Sequence, residues 1–346
     1  MKSAFLLSLI IISTQTLFAQ GSLDVPSDGG KAAKPVLLCR DVRFRMVADC
    51  ENLVYVDKRE VEGKEVDVVF NKKSGQAYSG RCKVCHNNGN VWMFLEYKNG
   101  FSYGIDTVYY ENGNINLIRS HDLLGYGKED GTWAFYRENG TLKWEKTFVM
   151  GFADGEQRHY FPDSTLEKVE MWKMGQLNGK KQEYYEGGTL RKEIGYKNGK
   201  FDGTYITYFK DGKVESEQQY INDKKTGPSS YYYDNGVLFY TEIHENGLKN
   251  GEFKRFYING KKWTVESYKK DIYDGVFQEY YDDEKNTMKY EAYYKKGKLI
   301  SEKFYDEFGE ETAPPAKTTT TTPTNGETET PTEEGGKKKK EKKKKN

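Results

Sequence analysis

The sequence predicts an all-β fold in which tandem β-hairpins form an elongated, twisted antiparallel meander or solenoid. Three observations lead to this prediction: glycines recur with a 24-residue period, aromatic pairs follow them at a fixed distance, and turn dipeptides such as Asn-Gly lie between the strand-like runs. The 346 residues include 28 Tyr and 35 Gly, a composition typical of strands and tight turns rather than helices.

A glycine opens each unit, and the spacing between these glycines is 24 residues except for one step of 27. A second set of glycines nine residues later, and a third set eleven residues after that, mark two turns in every unit. Each unit therefore consists of two short strands and two turns. About nine units must stack side by side, because one hairpin cannot bury a face alone. The unit glycines are Gly80, Gly104, Gly131, Gly155, Gly179, Gly203, Gly227, Gly251 and Gly275.

Two aromatic rows run through the array, five and six residues after each unit glycine. Adjacent strand residues face opposite sides of a sheet, so we expect the more uniform first row to face the packed side and the more varied second row to face the other side. The first row is Tyr109, Tyr136, Tyr160, Tyr184, Tyr208, Tyr232, Phe256 and Tyr280, and the second row is His86, Tyr110, Arg137, Phe161, Tyr185, Phe209, Tyr233, Tyr257 and Tyr281.

The second row contains the predicted binding surface. We expect Tyr185, Phe209, Tyr233 and Tyr257 to form a partly exposed aromatic strip, because the Arg in the same row is easier to place where solvent reaches it. In the alternative interpretation both rows are structural, covered by neighbouring turns or by Lys stems.

The repeats occupy residues 78–309, and other segments flank them. Residues 1–19 have the pattern of a signal peptide: one Lys, a short apolar run and a small residue at Ala19. An uncleaved anchor is the alternative. Residues 20–38 are predicted to be a linker, residues 39–77 an N-terminal β cap, and residues 310–346 a disordered tail rich in Thr, Pro and Lys.

Two irregularities interrupt the repeat. Three extra residues lie between His121 and Gly131, and two extra residues lie near positions 284–287, so each place is expected to hold a bulge or a longer loop. Residues 301–309 resemble a degraded half-unit, a capping element of the kind that repeat arrays need.

The four cysteines, Cys39, Cys50, Cys82 and Cys85, all lie in the cap or in the first repeat unit. An even number in an exported chain indicates disulfides, and four cysteines allow three connectivities. Cys82 and Cys85 would point to opposite faces of an unbroken strand, so bridges between the cap and the first repeat are favoured. The segment Cys82-Lys-Val-Cys85-His86 also matches the attachment motif of a c-type haem, but it lies in repeat register, and we predict no cofactor.

The remaining histidines occupy positions of the repeat as well. His121 and His244 take an aromatic slot, and His159 takes a strand slot, so a shared metal or catalytic site is not expected. The sequence contains no phosphate-binding Gly-rich loop and no His-Glu-x-x-His motif. The sequence therefore predicts a protein that is not an enzyme.

Charge is distributed unevenly along the chain. The net charge is +1, but the stretch from Thr312 to Asn346 holds nine Lys and five Glu, which leaves the body mildly acidic. An acidic body argues against nucleic acid as a partner. The Lys run near the C-terminus is expected to make at most weak contacts with anionic surfaces.

The repeat resembles the MORN repeat (membrane occupation and recognition nexus), and more closely the bacterial variant of YwqK-like proteins. The resemblance is carried by units such as Gly179-Lys-Lys-Gln-Glu-Tyr-Tyr-Glu-Gly-Gly188-Thr-Leu-Arg-Lys-Glu-Ile-Gly-Tyr-Lys-Asn-Gly199, and it covers about two-thirds of the chain. It implies a scaffold that binds proteins or lipids and offers no catalytic residues. YwqK-like proteins are also described as antitoxins, a role at odds with a signal peptide.

The sequence thus leads to three hypotheses for function. The first is an exported, non-enzymatic scaffold that binds another envelope or surface protein. The second is a carbohydrate or cell-wall binding module that stacks sugars on its Tyr ladder. The third is the antitoxin-like role implied by the resemblance. The expected location is secreted, periplasmic or at the surface of the cell envelope.

Overall fold

The computed structural model describes residue 39 and residues 47–61 and 64–315. In this part of the chain the backbone forms strands, turns and a single helical turn, α1 (Cys50–Leu53). The strands are β1 (Ala48–Asp49), β2 (Val54–Val61), β3 (Lys64–Asn71), β4 (Gly80–Cys85), β5 (Val91–Lys98), β6 (Phe101–Ser102), β7 (Ile105–Tyr109), β8 (Ile115–Ser120), β9 (Gly131–Tyr136), β10 (Leu142–Val149), β11 (Phe152–Ala153), β12 (Gly155–Tyr160), β13 (Leu166–Lys173), β14 (Gln176–Tyr184), β15 (Leu190–Lys197), β16 (Lys200–Tyr208), β17 (Val214–Ile221), β18 (Lys224–Lys225), β19 (Gly227–Tyr232), β20 (Leu238–Glu245), β21 (Leu248–Phe256), β22 (Lys262–Lys269), β23 (Ile272–Tyr280), β24 (Met288–Lys295), β25 (Lys298–Tyr305) and β26 (Glu311–Thr312).

One long sheet contains all of these strands except β2 and β3, which form a separate hairpin. From β4 to β26 successive strands pair antiparallel, so the sheet is a meander. The two-residue strands β6, β11 and β18 pair only with the strand before them, which also pairs with the strand after them. Its two ends do not pair with each other within the described residues. The predicted all-β hairpin array is confirmed.

The unit that begins at Gly179 shows how the sequence builds each hairpin. Gly179 pairs with Tyr196 and Tyr184 with Leu190, and a bulge next to Tyr184 accommodates one extra residue on the second strand. Tyr185 N donates to Thr189 O at 2.8 Å, which closes the first turn around Gly188 at φ 87°. At the second turn Asn198 and Gly199 both have positive φ, 50° and 78°, as in tight hairpin turns that match the strand twist.

The buried side chains of the sheet lie mainly on one side, which we call face A and define by Ile194 and its cross-strand partner Tyr205. Alternation along the strands and pairing across them place further buried residues on this face. The opposite face carries Lys83, Val91 and Val265. The buried residues of face A are Cys82, Asp106, Gln157, Glu170, Ile194, Ser216, Ser229, Glu242, Phe253, Thr264, Glu266 and Ala292.

Buried carboxylates on face A are neutralised by side chains of adjacent strands. Arg255 pairs with Glu266, whose other oxygen accepts a hydrogen bond from Tyr268 Oη at 2.6 Å. Lys225 contacts Glu242, and Lys181 Nζ lies 3.6 Å from Glu170. A buried charge is tolerated when it is paired and hydrogen-bonded, so face A holds charges without a second protein layer above it.

The second aromatic row lies on the side of face A, whereas the first row lies on the opposite face. This differs from our expectation that the first row faces the packed side. The extra residue at each bulge places its side chain on face A as well. Arg191 pairs there with Glu183 at 2.5 Å, and Lys289 pairs with Glu279 at 2.7 Å. The second-row ring of Tyr257 stacks on such a bulge residue, Trp263, at 5.7 Å.

Polar residues of the second row join each unit to the next. Tyr185 Oη donates to Tyr208 O, Tyr233 Oη to Phe256 O, and Tyr257 Oη to Tyr280 O, all at 2.8–2.9 Å. In each case the acceptor is the backbone carbonyl of the first-row residue in the following unit. Tyr110, Arg137, Tyr281 and the ring nitrogen of His86 make the equivalent contact. We call these contacts latches; Phe161 and Phe209 lack the donor that one requires.

The N-terminal cap is tied covalently to the first repeat. Disulfides join Cys39 to Cys85 and Cys50 to Cys82. Strand β1 pairs in parallel with β4, with Ala48 opposite Cys82. The prediction that bridges link the cap to the first repeat is confirmed.

The two irregularities form longer loops. Residues 121–130, which we call the insertion loop, are bridged at their base by His121 and Glu129, and the turn after Tyr281 closes through a Thr287 O contact. At the C-terminal end Glu311 and Thr312 form β26, paired with Tyr305 and Phe304. The predicted signal peptide, the linker and most of the tail lie outside the described residues. The described part of the chain contains no helix with the length and apolarity needed to cross a membrane.

Exchanging one hydroxyl group tests the latches. Phe209→Tyr places an Oη within reach of Tyr232 O, and we expect the free energy of unfolding to rise by about 0.5–1.5 kcal/mol, the net contribution of one hydrogen bond. Tyr233→Phe removes an existing latch and should lower the free energy of unfolding by a similar amount. Urea unfolding of both variants measures the change. Equal stabilities of all three proteins would mean that the latches contribute nothing.

Candidate interaction surface

The predicted aromatic strip lies at the ends of the first strands, beside the first turns. Tyr185, Phe209, Tyr233 and Tyr257 are all half-buried. The ring of Tyr233 packs 4.8 Å from that of Phe239, and the three tyrosine hydroxyls are engaged in latches. The exposed part of each residue is therefore a ring edge or face. That this strip is a binding surface stays a prediction.

An open groove of about 770 Å³ lies next to one member of the strip, Tyr185. Its walls include Phe161, Tyr184 and the charged residues Arg191 and Lys210. The ammonium group of Lys210 lies 6.0 Å from the centre of the Tyr185 ring. The groove thus combines aromatic surface with charge, a combination that suits a polar ligand with one flat face.

Both cysteines of the Cys-x-x-Cys-His segment are bonded to cap cysteines, Cys82 to Cys50 and Cys85 to Cys39. A haem thioether link would need those two sulfur atoms. The Nε2 atom of His86 lies 3.1 Å from Tyr109 O. The segment therefore acts as part of the repeat and as the anchor of the cap.

The other histidines are separated along the array. His121 Nε2 contacts the buried Asp106 Oδ2 at 3.0 Å. Burial, with smaller effects of Lys168 and Lys146, lowers the pKa of His159 to about 4, so it is neutral at physiological pH. Burial also lowers the pKa of His244. The described residues contain no group of His, Cys, Asp and Glu arranged to hold a metal ion.

The insertion loop has a defined conformation because one carboxylate organises it. Asp122 is 1% exposed, and its oxygens accept hydrogen bonds from the backbone N–H groups of Leu124, Tyr126 and Lys128 at 2.7–3.0 Å. Burial by itself would raise the pKa of Asp122, but these N–H donors outweigh it and lower the pKa. The loop is held closed by an ionised group at its centre.

Large apolar side chains project from this loop into solvent. Leu123 and Leu124 are each 66% exposed, and Tyr126 is 60% exposed. The second turns of the next two units add three more exposed apolar residues. We call the whole set the apolar turn edge; its members are Leu123, Leu124, Tyr126, Val149, Phe152 and Met174.

Backbone hydrogen bonds hold the three turns of this edge side by side. Gly151 N donates to Glu129 O at 2.7 Å, and Gly175 N donates to Ala153 O at 2.8 Å. A Cβ atom on Gly175 would lie 3.5 Å from the ring of Phe152, so successive turns are in van der Waals contact. Leu123 also lines a groove of about 800 Å³ with Phe94 and Ile105. The three turns that carry the apolar turn edge are therefore adjacent.

Two methionines on or beside this edge occupy an unfavourable backbone conformation. Met150 and Met174 have φ of 48° and 49°, in the left-handed region. The same slot is filled by Asn198, Asn222 and others at nearly the same φ. Asn tolerates this region better than Met, so the methionines cost conformational energy at these turns. The equivalent turn residues in other units are Asn99, Asn198, Asn222, Asn246, Lys270 and Lys296.

Positive charge surrounds the apolar turn edge. Lys128 lies over the Tyr126 ring at 5.9 Å, and Lys98 lies over Tyr103 at 4.9 Å. Lys173 is exposed next to Met174. Nearby carboxylates are directed inward: Asp130 accepts from Met150 N and Asp154 from Met174 N, each at 3.1 Å. The rim therefore presents ammonium groups outward.

A family profile described as "MORN repeat variant" matches residues 177–198 and 201–222, two consecutive units of the array. The chain is a MORN-repeat protein. The matched residues include the unit from Gly179 to Gly199, which carries the resemblance in sequence. The YwqK-like subtype stays a prediction. No curated protein sequence matches this chain.

Similar solved structures are parts of much larger chains. One is the crystal structure of TcdB2-TccC3-Cdc42, with 13% identity and a TM-score of 0.17 over 74% of this chain and 16% of that one. Another is the Photorhabdus luminescens Tc holotoxin pore with a mutated TccC3, with 12% identity and a TM-score of 0.15 over 75% of this chain and 17% of that one. Likeness at this level carries no argument about function.

The apolar turn edge was not found by reading the sequence, although a signal was present. The insertion loop was expected, but its apolar residues were not singled out. Leu123 and Leu124 stand in a turn where other MORN units carry Lys and Asn, and Met174 stands in an Asn slot. Comparing the turn positions of successive units would have revealed these departures.

Removing the organising carboxylate tests the insertion loop. In Asp122→Ala the amides of Leu124, Tyr126 and Lys128 lose their acceptor, so we expect their hydrogen exchange to speed up at least about tenfold, while the Tyr185 amide is unchanged. In the wild type, protection should persist above the ordinary carboxyl pKa of 3.8 and be lost only as the pH falls through the lowered pKa of Asp122. Unaltered loop protection in the variant would show that other contacts hold the loop.

Proposed function

We propose that this MORN-repeat protein is an exported, non-enzymatic scaffold that binds a partner protein of the cell envelope through the apolar turn edge. The observation that carries the proposal is the exposure of Leu123, Leu124 and Met174, each 60% or more, on turns fixed by hydrogen bonds. Contiguous apolar surface of this kind is typical of protein-binding sites.

The backbone conformation of the edge supports the same proposal. Met174 takes a turn position where Asn is better suited, and it does so at the cost of stability and with its side chain in water. A feature that lowers stability without any benefit to packing is expected where function requires it. Single exposed apolar residues also occur at later second turns, at Ile221, Leu248 and Ile272, but beside the insertion loop three neighbouring turns each carry at least one.

The charge around the edge defines the kind of partner. Lys98, Lys128 and Lys173 rim the surface, so a complementary partner carries apolar side chains flanked by Asp or Glu. The apolar centre would supply most of the binding energy, and the rim charges would steer association and fix register.

Two observations support export. The disulfides Cys39–Cys85 and Cys50–Cys82 are of the kind that form and persist in oxidising compartments. The first 19 residues have the pattern of a signal peptide. The proposed location is the periplasm, the surface of the envelope or the medium.

A glycan-binding role is the second candidate, and the groove beside Tyr185 favours it. Its aromatic wall could stack a sugar ring, and the surrounding charged residues, which include Glu183 and Glu186 as well as Arg191 and Lys210, could bind the sugar hydroxyls. In this case Tyr185→Ala, and not a change at the turn edge, should abolish retention on peptidoglycan or on a glycan array.

Site-specific photocrosslinking in cells tests the scaffold proposal. A photoreactive amino acid at Leu124 should give one discrete crosslinked band with an envelope protein, because this side chain would lie inside the interface. The matched control places it at Asn198, a turn residue of a polar unit. Met174→Asn should weaken the Leu124 crosslink while raising the free energy of unfolding by roughly 1 kcal/mol, since Asn is less strained in the left-handed region.

Either of two results would contradict the proposal. One is the absence of a crosslink at Leu124 in the native envelope. The other is the same bands from Leu124 and Asn198, which would indicate random collisions rather than a binding surface.

A further inference from the structure

Charge is segregated between the two long borders of the sheet in the last five units. The second turns of these units, residues 197–200, 221–224, 245–248, 269–272 and 295–298, contain eight Lys and three carboxylates. The first turns of the same units, residues 186–189, 210–213, 234–237, 258–261 and 282–287, contain four Lys and six carboxylates. We call the set of second turns the basic edge. It begins in the unit after the apolar turn edge ends and shares no residue with it.

The ammonium groups of the basic edge are available to a ligand. All eight Lys are exposed, and among the described residues only Lys295 forms an ion pair, with Asp274 at 3.2 Å. The three carboxylates of these turns instead accept hydrogen bonds from the protein itself at 2.6–2.8 Å; they belong to Asp223, Glu245 and Asp271. The carboxylate of Asp202, beside the edge, accepts from Asn222 N at 3.3 Å. The uncompensated charge of the edge is therefore positive.

Backbone hydrogen bonds hold the five turns in a row. Each turn after the first donates one N–H group to a carbonyl oxygen just after the preceding turn, at 2.8–3.0 Å; the donors are Asp223, Gly247, Asp271 and Gly297. Because each unit adds two strands to the sheet, successive turns are about 10 Å apart. Four of the five turns carry at least one Lys, and the turn at residues 245–248 carries none. The positive charges thus follow the repeat of the array.

The basic edge also carries groups that suit a sugar. The amide side chains at the tips of the first three turns are exposed and make no hydrogen bond within the described part of the chain; these residues are Asn198, Asn222 and Asn246. An amide can donate to one hydroxyl group and accept from another. The three middle turns each add one exposed apolar side chain, Ile221, Leu248 or Ile272. A sugar ring offers hydroxyl groups to the amides and C–H groups to the apolar side chains.

Two other anionic ligands fit the basic edge less well. The edge contains no Arg and no aromatic residue, whereas single-stranded nucleic acids stack their bases on aromatic rings and phosphate groups are matched best by Arg. A membrane is planar, but a sheet twists by about 20–25° from one strand to the next. The five turns therefore follow a curved path, and only some of them would touch a plane at once. A flexible linear chain can follow that path.

We propose that the basic edge binds an acidic polysaccharide with one carboxylate or phosphate group in each disaccharide repeat. An extended disaccharide is similar in length to the interval between turns, so successive acidic groups meet the Lys side chains of successive turns. Each ammonium group contributes a weak contact without strict geometry, and the linked contacts add up along the chain. This site requires no envelope protein, and it lies at the opposite strand ends from the groove beside Tyr185.

Isothermal titration calorimetry of the full exported chain, with its disulfides intact, tests the proposal with two probes. One is a hyaluronate decasaccharide, which has one carboxylate in each disaccharide. The other is a capsular polysaccharide fragment with one phosphodiester in each disaccharide. We expect at least one probe to bind, with an affinity that falls as salt is added, and the tighter probe identifies the acidic group. Neutral dextran should not bind.

A triple variant locates the binding on the basic edge. Lys197→Gln, Lys270→Gln and Lys296→Gln together should weaken binding about a hundredfold at low salt, since each Lys near an anionic surface contributes about fivefold. The matched control, Lys73→Gln with Lys143→Gln and Lys285→Gln, changes the net charge equally at other exposed sites and should stay within about threefold of the wild type. Circular dichroism checks that both variants keep the sheet. Tyr185→Ala should leave this binding unchanged, and the triple variant should leave the Leu124 crosslink unchanged.

Four results would overturn the proposal. The first is that neither acidic polysaccharide binds, and the second is an affinity that does not respond to salt. The third is an equal loss of affinity in the two triple variants, which would mean that only the net charge matters. The fourth is tighter binding of oligothymidylate or of phosphatidylserine-containing vesicles at matched charge, which would assign the basic edge to nucleic acid or to a membrane.

Discussion

A single-layer sheet must shield its own side chains, and this constraint governs the whole molecule. Among the described residues no second layer covers face A, so a residue such as Ile194 is buried by neighbours on the adjacent strands, Lys181 and Tyr205. The same constraint explains why buried positions accept Glu242 and Glu266: the cations that neutralise them, Lys225 and Arg255, are one or two strands away. Long side chains that lie along the sheet substitute for the core that a two-layer protein would have.

Local requirements explain how much of the fold could be predicted. A tight hairpin turn needs positive φ, and residues such as Asn198-Gly199 provide it at a fixed period, so the meander follows from sequence alone. The disulfide connectivity cannot be predicted from the sequence alone, because it depends on the parallel pairing of β1 with β4, two segments that are far apart in sequence. The sequence also does not predict which face of the sheet is the more buried one. Both aromatic rows have the composition of a core, and the bulge residues, such as Arg191, add extra side chains to one face only.

Stability and interaction compete at the apolar turn edge. Asn-Gly suits the backbone of the second turn, and the repeat uses it at Asn99-Gly100, Asn198-Gly199 and Asn246-Gly247. The units next to the insertion loop depart from it with Met150 and Met174. In a repeat array such a departure is easier to interpret than in an irregular protein, because neighbouring units show what the same position needs for folding alone. Asp122 adds a second cost, since it buries a carboxylate in order to fix a solvent-exposed loop.

The open meander has a consequence for how such a protein can evolve. Each latch reaches a backbone carbonyl rather than a particular side chain, so a unit accepts any successor whose strand begins in the right place. Duplication or loss of a whole unit therefore changes the length of the sheet by two strands, about 10 Å, without creating a mismatch at the junction. Selection can adjust the length of the sheet in discrete steps, while the capped first repeat and the C-terminal strands β25 and β26 are unchanged.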